Sequence, residues 1–272
     1  MIEMIKDLIR LADAFRHAVV FTLFGRREVN CLARGTIACR IAYARIVNRG
    51  RSASSFGEQM LLAGAILRIP RELPGIIAEF GCYKGLSTVA LSIAARYAGR
   101  RVVVFDSFQG LPEPAEPVHQ VATGKVVEYK KGAFAGTLEE VRSVVARHGE
   151  IDRVEFVKGF FCDTLPGRPA GEKYALIFED ADLVESVRDV LKHAWPRLQP
   201  GGYFFSHEAL DLEVAKLFFN DDDWLKIHGC AAPGLAGVGL GLPVDVGRWG
   251  VSSLGGMFGS GLAGTIKRSS VR

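Results

Sequence analysis

The chain has 272 residues, 49% hydrophobic and 24% charged, with 34 basic against 30 acidic side chains and a net charge of +4. That balance excludes wholesale disorder, suits one large domain or a domain with an appended arm, and is too weakly basic to argue for a nucleic-acid partner. The five scattered cysteines form no C-x-x-C pair, and no apolar run reaches the roughly 18 residues of a membrane span, so neither a disulfide framework, a zinc knuckle nor a transmembrane segment is expected. With no basic start and small-residue cleavage site of a secretory signal, the expectation is a cytoplasmic protein with reduced thiols.

The charge is unevenly spread: residues 1–53 hold ten basic and four acidic side chains, leaving 24 against 26 in the remainder. In that arm Ile5, Leu8, Ala12, Phe15 and Val19 recur at helical spacing, and a second helical stretch runs from Leu32 to Val47 with Arg34, Arg40 and Arg45 along it. A basic lid over an anionic substrate, or a surface resting on acidic lipid, would use these arginines. Mixed charge on the polar face favours instead two amphipathic helices packed on the main domain, with the arginines solvated. Their apolar stripe offers a surface for a homodimer. The run from Arg49 to Ser55 reads as a linker, which divides the chain into a helical arm or lid at 1–53 and a main domain at 54–272.

From there helices and strands alternate. A helix is predicted from Phe56 to Leu67, then strands at Gly75–Phe80, Arg101–Asp106, Val154–Lys158, Tyr174–Phe178 and Gly202–Ser206. Helices are expected at Leu86–Tyr97, near Gly136–His148, at Val184–Trp195 and at Leu210–Asn220, and Gly261–Lys267 is a candidate terminal strand. Such alternation predicts an α/β fold with a mostly parallel, doubly wound sheet, whose ligands bind at the carboxyl ends of the strands. Residues 114–132 read as a long loop over those ends, and Pro233–Gly264, with Arg248 and Trp249, as a glycine-dense connection.

The first strand ends in Glu79-Phe-Gly81-Cys-Tyr83-Lys-Gly85-Leu-Ser87-Thr88. Gly81 and Gly85 permit a sharp turn and close approach of a ligand. Tyr83 stands where a dinucleotide fingerprint has its middle glycine, and Glu79 suits an ammonium group and repels a phosphate. Asp106, ending the next strand, is placed to accept both hydroxyls of a ribose. An amino acid joined to adenosine without phosphates is S-adenosylmethionine. A dinucleotide oxidoreductase ranks behind it.

Leu198-Gln-Pro-Gly-Gly-Tyr203 resembles the strand entry of Rossmann-type methyltransferases. Together with Glu79–Ser87, Phe105-Asp-Ser-Phe-Gln-Gly-Leu-Pro112, Lys158–Pro166 and Tyr174–Ser186, it resembles the macrocin O-methyltransferase family from about Ser55 to Lys267. The resemblance implies a Rossmann-like fold, S-adenosylmethionine, and methylation of a hydroxyl on a sugar-like natural product with help from a divalent cation such as Mg²⁺ or Mn²⁺. Carried over, Glu79, Gly81, Tyr83, Gly85, Ser87, Asp106, Ser107, Phe108, Gly159 and Phe160 would form the cofactor site. Glu79 and Gly81 would line its methionine end, Phe108 would flank the adenine and Gly159-Phe160 would close over it. Core packing is the equal alternative for both phenylalanines.

Where the family carries an acid pair at the end of the fifth strand, this chain has His207-Glu208. Asp180 and Asp182 keep the other two acids. Asp180, His207 and Glu208 remain a plausible donor set for a divalent ion, the imidazole tilting preference from Mg²⁺ toward Mn²⁺, Fe²⁺ or Zn²⁺. His207 is the natural base if it does not ligate, and Asp180 the alternative. Asp182 is expected to cap the following helix, and His207-Glu208 could equally open the next one. His119 and the other histidines are expected to be surface or packing residues, and Asp221–Asp223 a solvated turn. A non-catalytic relative that binds the nucleoside after losing its metal site is the alternative to an O-methyltransferase.

Overall fold

The strands predicted from apolar runs lie side by side in one sheet. The structure, a computed structural model, describes residues 15, 18, 19, 21, 22, 29–48, 52–122, 124–237 and 262–268. The stripe at residues 5–12, the start of the linker and Arg248-Trp249 lie outside these. In chain order the elements are α1 (Cys31–Val47), α2 (Phe56–Arg68), β1 (Ile76–Phe80), α3 (Leu86–Tyr97), β2 (Val102–Asp106), β3 (Val118–Gln120), β4 (Val126–Glu128), α4 (Leu138–His148), β5 (Val154–Lys158), α5 (Phe161–Thr164), β6 (Tyr174–Glu179), α6 (Val184–Ala194), β7 (Leu198–Ser206), α7 (Leu212–Leu217), α8 (Asp221–His228), β8 (Ala236–Gly237) and β9 (Ala263–Ile266). The sheet order is β5-β2-β1-β6-β7-β9-β8, parallel through β7, with β9 antiparallel to it as the predicted terminal strand. Strand order reverses between β1 and β6, the switch point of a doubly wound Rossmann-like α/β fold.

Both faces of the central strands β1, β2 and β6 are covered, which is why they read as nearly continuous apolar runs rather than alternating. Ile77, Val102, Val104, Leu176 and Phe178 face a core built with α1 to α4. Ala78, Phe80, Val103, Phe105 and Ile177 face the opposite core with α6, Trp195, Phe218 and Trp224.

Two expectations change. The arginines of α1 are not free in solvent. Arg34 is 6% exposed and donates to the Val29 carbonyl at 2.6 Å, and Arg40 pairs with Glu150 at 2.6 Å, which Arg96 also reaches at 2.6 Å. Arg45 donates to the Ser54 carbonyl at 2.7 Å. Arg40 and Arg45 fasten α1 to the main body, whereas the buried Arg34 guanidinium finds its acceptors within the arm, at the Thr22 and Val29 carbonyls.

The stretch 114–132 is not a plain loop. It folds into the antiparallel β3–β4 ribbon, docked where the Ala122 N–H donates to the Leu210 carbonyl at 2.7 Å. His119, expected at the surface or in packing without a partner, is 2% exposed. Its Nδ1 pairs with Asp211 and its Nε2 lies 2.8 Å from the Glu116 carbonyl, so the ribbon is pinned to the segment that follows β7.

Candidate functional site at the carboxyl edge of the sheet

Register places the site. Phe105 pairs with Phe80, Phe80 with Glu179 and Glu179 with Ser206. The next residue on each strand is therefore Asp106, Gly81, Asp180 and His207, one row across four adjacent strand ends. Backbone bonds hold the row: Gly81 N–H to the Phe105 carbonyl at 2.9 Å, Asp180 N–H to Phe80 at 2.8 Å and His207 N–H to Glu179 at 2.8 Å.

Above the row lies a cavity of about 420 Å³. Its lining includes Gly81, Tyr83, Asp106, Ser107, Gly159 and Phe160 from the predicted cofactor set, with Asp180 and His207 beyond them. Phe134 and Phe161 add apolar wall that the sequence did not assign. Asp106 is fixed by the Cys82 N–H at 2.8 Å and the Phe108 N–H at 2.7 Å, one on each carboxylate oxygen, leaving further lone pairs for the cavity.

Four members of the predicted set do not line this cavity. Phe108 is 5% exposed with its ring edge-on to Phe156, so its side chain packs the core and only its N–H serves the site, through Asp106. Gly85 starts α3 with φ +83, where an added Cβ would meet Val141 at 3.0 Å. Ser87 is buried in the first turn of α3. Glu79 lies wholly buried: Thr88 Oγ1 donates to its Oε2 at 2.6 Å, while its Oε1 has no hydrogen-bond partner. Burial pushes the Glu79 carboxyl up to about 8, with the Ser87 and Thr88 hydroxyls opposing.

That shift predicts a pH dependence of stability. Unfolded, the group ionises near 4.5, whereas folded it stays protonated to about 8. The folded chain then binds more protons, so ligand-free stability should fall as pH rises from about 4.5 to 8. Urea unfolding at pH 5 and pH 8 checks this: Glu79→Gln should lose less stability over that interval than the parent.

At the other end of the cavity three side chains converge. His207 Nδ1 stands 3.1 Å from Asp180 Oδ1 and 3.5 Å from Glu208 Oε1, and His207 Nε2 is 3.6 Å from Glu58 Oε2. One ligand atom from each of Asp180, His207 and Glu208 falls within 4.8 Å of the others, the spacing of a small cation site. Burial pulls the His207 imidazole down, but the surrounding carboxylates of Asp180, Glu208 and Glu58 outweigh it and hold its pKa well above the ordinary value. The expectation of a base titrating near neutrality is corrected accordingly. Burial likewise raises Glu208 and Asp182.

Asp182 does not cap α6. The cap position is Leu183, without a side-chain bond, and Asp182 turns left-handed at φ +60 on the cavity wall. Nor do His207 and Glu208 open a helix, because Asp211 caps α7, donated to by the Glu213 and Val214 N–H groups. Asp221–Asp223 form the first turn of α8, capped by Asn220.

Two residues at this end carried no sequence signal of function. Glu58 was hidden in a helix N-terminus. Glu179, pushed up to about 8 by burial first and by Glu208 next, accepts from Ser206 Oγ at 2.6 Å and the Ala181 N–H at 2.9 Å.

Residues 61–221 match the family model described as macrocin-O-methyltransferase (TylF). The chain is 41% identical over 135 residues to the 8-demethyl-8-(2,3-dimethoxy-alpha-L-rhamnosyl)-tetracenomycin-C 4'-O-methyltransferase of Streptomyces olivaceus, covering 48% of this chain and 51% of that protein. It is 36% identical over 137 residues to the mycinamicin III 3''-O-methyltransferase of Micromonospora griseorubida, with shares of 48% and 54%. The chain thus spans about half the length of the curated relatives it matches. The fold is similar to that of the O-methyltransferase NovP, with a TM-score of 0.65 at 18% identity, over 87% of this chain and 100% of that one. No described helix is long and apolar enough to cross a membrane.

Proposed function

Because the chain belongs to the macrocin-O-methyltransferase family, we propose that it moves a methyl group from S-adenosylmethionine to a hydroxyl on the sugar of a glycosylated small molecule. The observation that supports this is the row of Asp106, Gly81, Asp180 and His207 along one cavity wall, a carboxylate suited to a ribose at one end and a carboxylate–imidazole pair at the other.

The cofactor end fits an adenosine without phosphates. Asp106 presents lone pairs for two vicinal hydroxyls, Phe134, Phe160 and Phe161 give apolar wall for a purine, and no Lys or Arg lines the described cavity. S-adenosylmethionine supplies an electrophilic methyl on a sulfonium, and displacement is in line, so the chain's task is to aim one oxygen and take its proton. Asp180 accepts the hydroxyl proton. His207, with Nδ1 3.1 Å from Asp180 Oδ1, holds that carboxylate in place by donating its N–H. The oxygen's electron pair forms the new C–O bond while the C–S pair returns to sulfur.

A divalent cation would be held by Asp180, His207 and Glu208, whose donor atoms lie within 4.8 Å of one another, and would take the place of the proton on the ligating nitrogen of His207. Two carboxylates with one imidazole suit Mn²⁺ at least as well as Mg²⁺. Bound there, it would lower the pKa of the acceptor hydroxyl.

Asp182, Glu185 and Asp189 also line the cavity. This acidic wall favours a neutral or cationic glycoside and disfavours a phosphate-bearing sugar. The test is transfer of a tritiated methyl from S-adenosylmethionine to a panel of neutral glycosides, amino glycosides and nucleotide sugars, with EDTA-treated protein and Mn²⁺ or Mg²⁺ restored. Labelled glycoside, restored by metal and absent with nucleotide sugars, is the expected result. No labelled product with any acceptor in the presence of metal would count against it. Asp106→Ala should weaken S-adenosylhomocysteine about 100-fold, on the order of two lost charge-assisted hydrogen bonds, and calorimetric titration of the variant checks it.

A further inference from the structure

α1 is apolar on two sides, and the chain buries only one of them. Ile37, Ala38, Ile41 and Ala44 lie in the core shared with α2 and α3. The side turned to solvent carries Leu32, Thr36, Cys39, Tyr43, Ile46 and Val47, which recur at three- and four-residue steps along one face. No exposed position of α1 is charged, and Leu32, Tyr43 and Ile46 are each more than half exposed. Other surface helices differ. The exposed positions of α6 are Glu185, Arg188 and Lys192, and α4 exposes Glu139, Glu140, Arg142 and Arg147. The arginines of α1 stand off the stripe: Arg34 is buried, Arg40 pairs with Glu150 and Arg45 donates to the Ser54 carbonyl. A helix that is apolar all round belongs in an interior.

We propose that the outer face of α1 is a homodimer contact, covered by α1 of a second copy of this chain packed antiparallel about a two-fold axis at Cys39. A contact between identical patches must be self-complementary, and a stripe without charge meets its own copy with no like-charge conflict. Its sizes also match under that axis. Leu32 and Ile46 stand seven residues either side of Cys39, and Gly35 and Tyr43 four. The axis therefore sets Leu32 against the partner's Ile46, and the Tyr43 ring beside the small residues Gly35 and Thr36 of the partner subunit. A lipid surface fits this face less well, because the stripe offers no lysine or arginine to anionic headgroups. The face predicted for a homodimer from helical spacing is thus divided: its inner half serves the chain's own core, and its outer half is the one left for a partner.

The test is sedimentation velocity of the full chain over a concentration series, beside Tyr43→Glu and Ile46→Glu, with circular dichroism to verify that each variant is folded. Both substitutions lie on the solvent side of α1 and leave its buried side chains in place. The parent should form a dimer whose share grows with concentration. Each variant should self-associate at least 100-fold more weakly, because the two-fold places the new charge in the contact twice, against apolar partners. Cys39 is exposed, and a short bismaleimide should join it to the partner's Cys39 in the parent and leave Cys39→Ser uncoupled there. A parent that stays monomeric throughout the series, whether or not it binds phosphatidylserine vesicles, would overturn the proposal. So would a dimer that folded Tyr43→Glu and Ile46→Glu both retain, or one in which the reagent never joins Cys39 to its copy.

Discussion

Gly81→Ala is expected to be the most damaging single methyl group that can be added near the site. Gly81 sits at φ +83, and a Cβ there would stand 2.0 Å from the carbonyl oxygen of Asp180 and 2.9 Å from its carbon. Backbone, not a movable side chain, is in the way. Relief requires β1 and β6 to part at the switch point, where the register holds Phe80 against Glu179. A left-handed alanine costs about 1–2 kcal/mol by itself. Adding the displaced strand ends brings the expected loss to about 3–5 kcal/mol, in the range reserved for severe local strain. Urea unfolding measures it, and a loss below about 1 kcal/mol would mean the turn relaxes easily. The variant should also lose S-adenosylhomocysteine binding, since Gly81 and Asp106 share the cavity wall.

Asp180→Asn is expected to act in the opposite manner, on chemistry without binding. Asn keeps the size of the side chain and a hydrogen-bonding oxygen toward His207, but it accepts no proton and is a poor cation ligand. Methyl transfer should fall about 10³-fold, the middle of the range for a lost general base. Cofactor affinity should stay at the parental level, because Asp106 at the other end of the row is untouched. Parallel measurement of turnover and S-adenosylhomocysteine binding separates the cases. Full activity in Asp180→Asn would remove Asp180 from the mechanism. Inactivity already in the parent, with cofactor still bound, would favour the non-catalytic relative.

The parallel strands and the helices between them were legible because their sequences repeat at the periods that burial imposes. Val102-Val-Val-Phe-Asp106 has no polar residue until the strand leaves the core, and Asp106 is where it does so. Asp180 and His207 were legible through the family resemblance, as the residues that follow β6 and β7. Glu58 was not, since S-x-x-E before an apolar run describes a helix cap completely, and only tertiary packing reveals that its carboxylate also meets His207. The β3–β4 ribbon escaped because strands of three residues, exposed on one or both faces, carry too few apolar positions to show a period. His119 escaped with them, its partner Asp211 lying 92 residues away. For Phe108 the core-packing alternative is the one the structure shows. Its position after Asp106 is as expected, but at φ +55 its side chain turns into the core rather than toward the cavity.

The central claim is that the cavity above Asp106, Gly81 and Asp180 holds S-adenosylmethionine, and calorimetric titration of the parent chain with S-adenosylhomocysteine tests it most directly. Saturable binding at one site per chain, with no detectable binding of a dinucleotide, is the predicted result. A folded, ligand-free chain that binds no S-adenosylhomocysteine, or that prefers the dinucleotide, would contradict it.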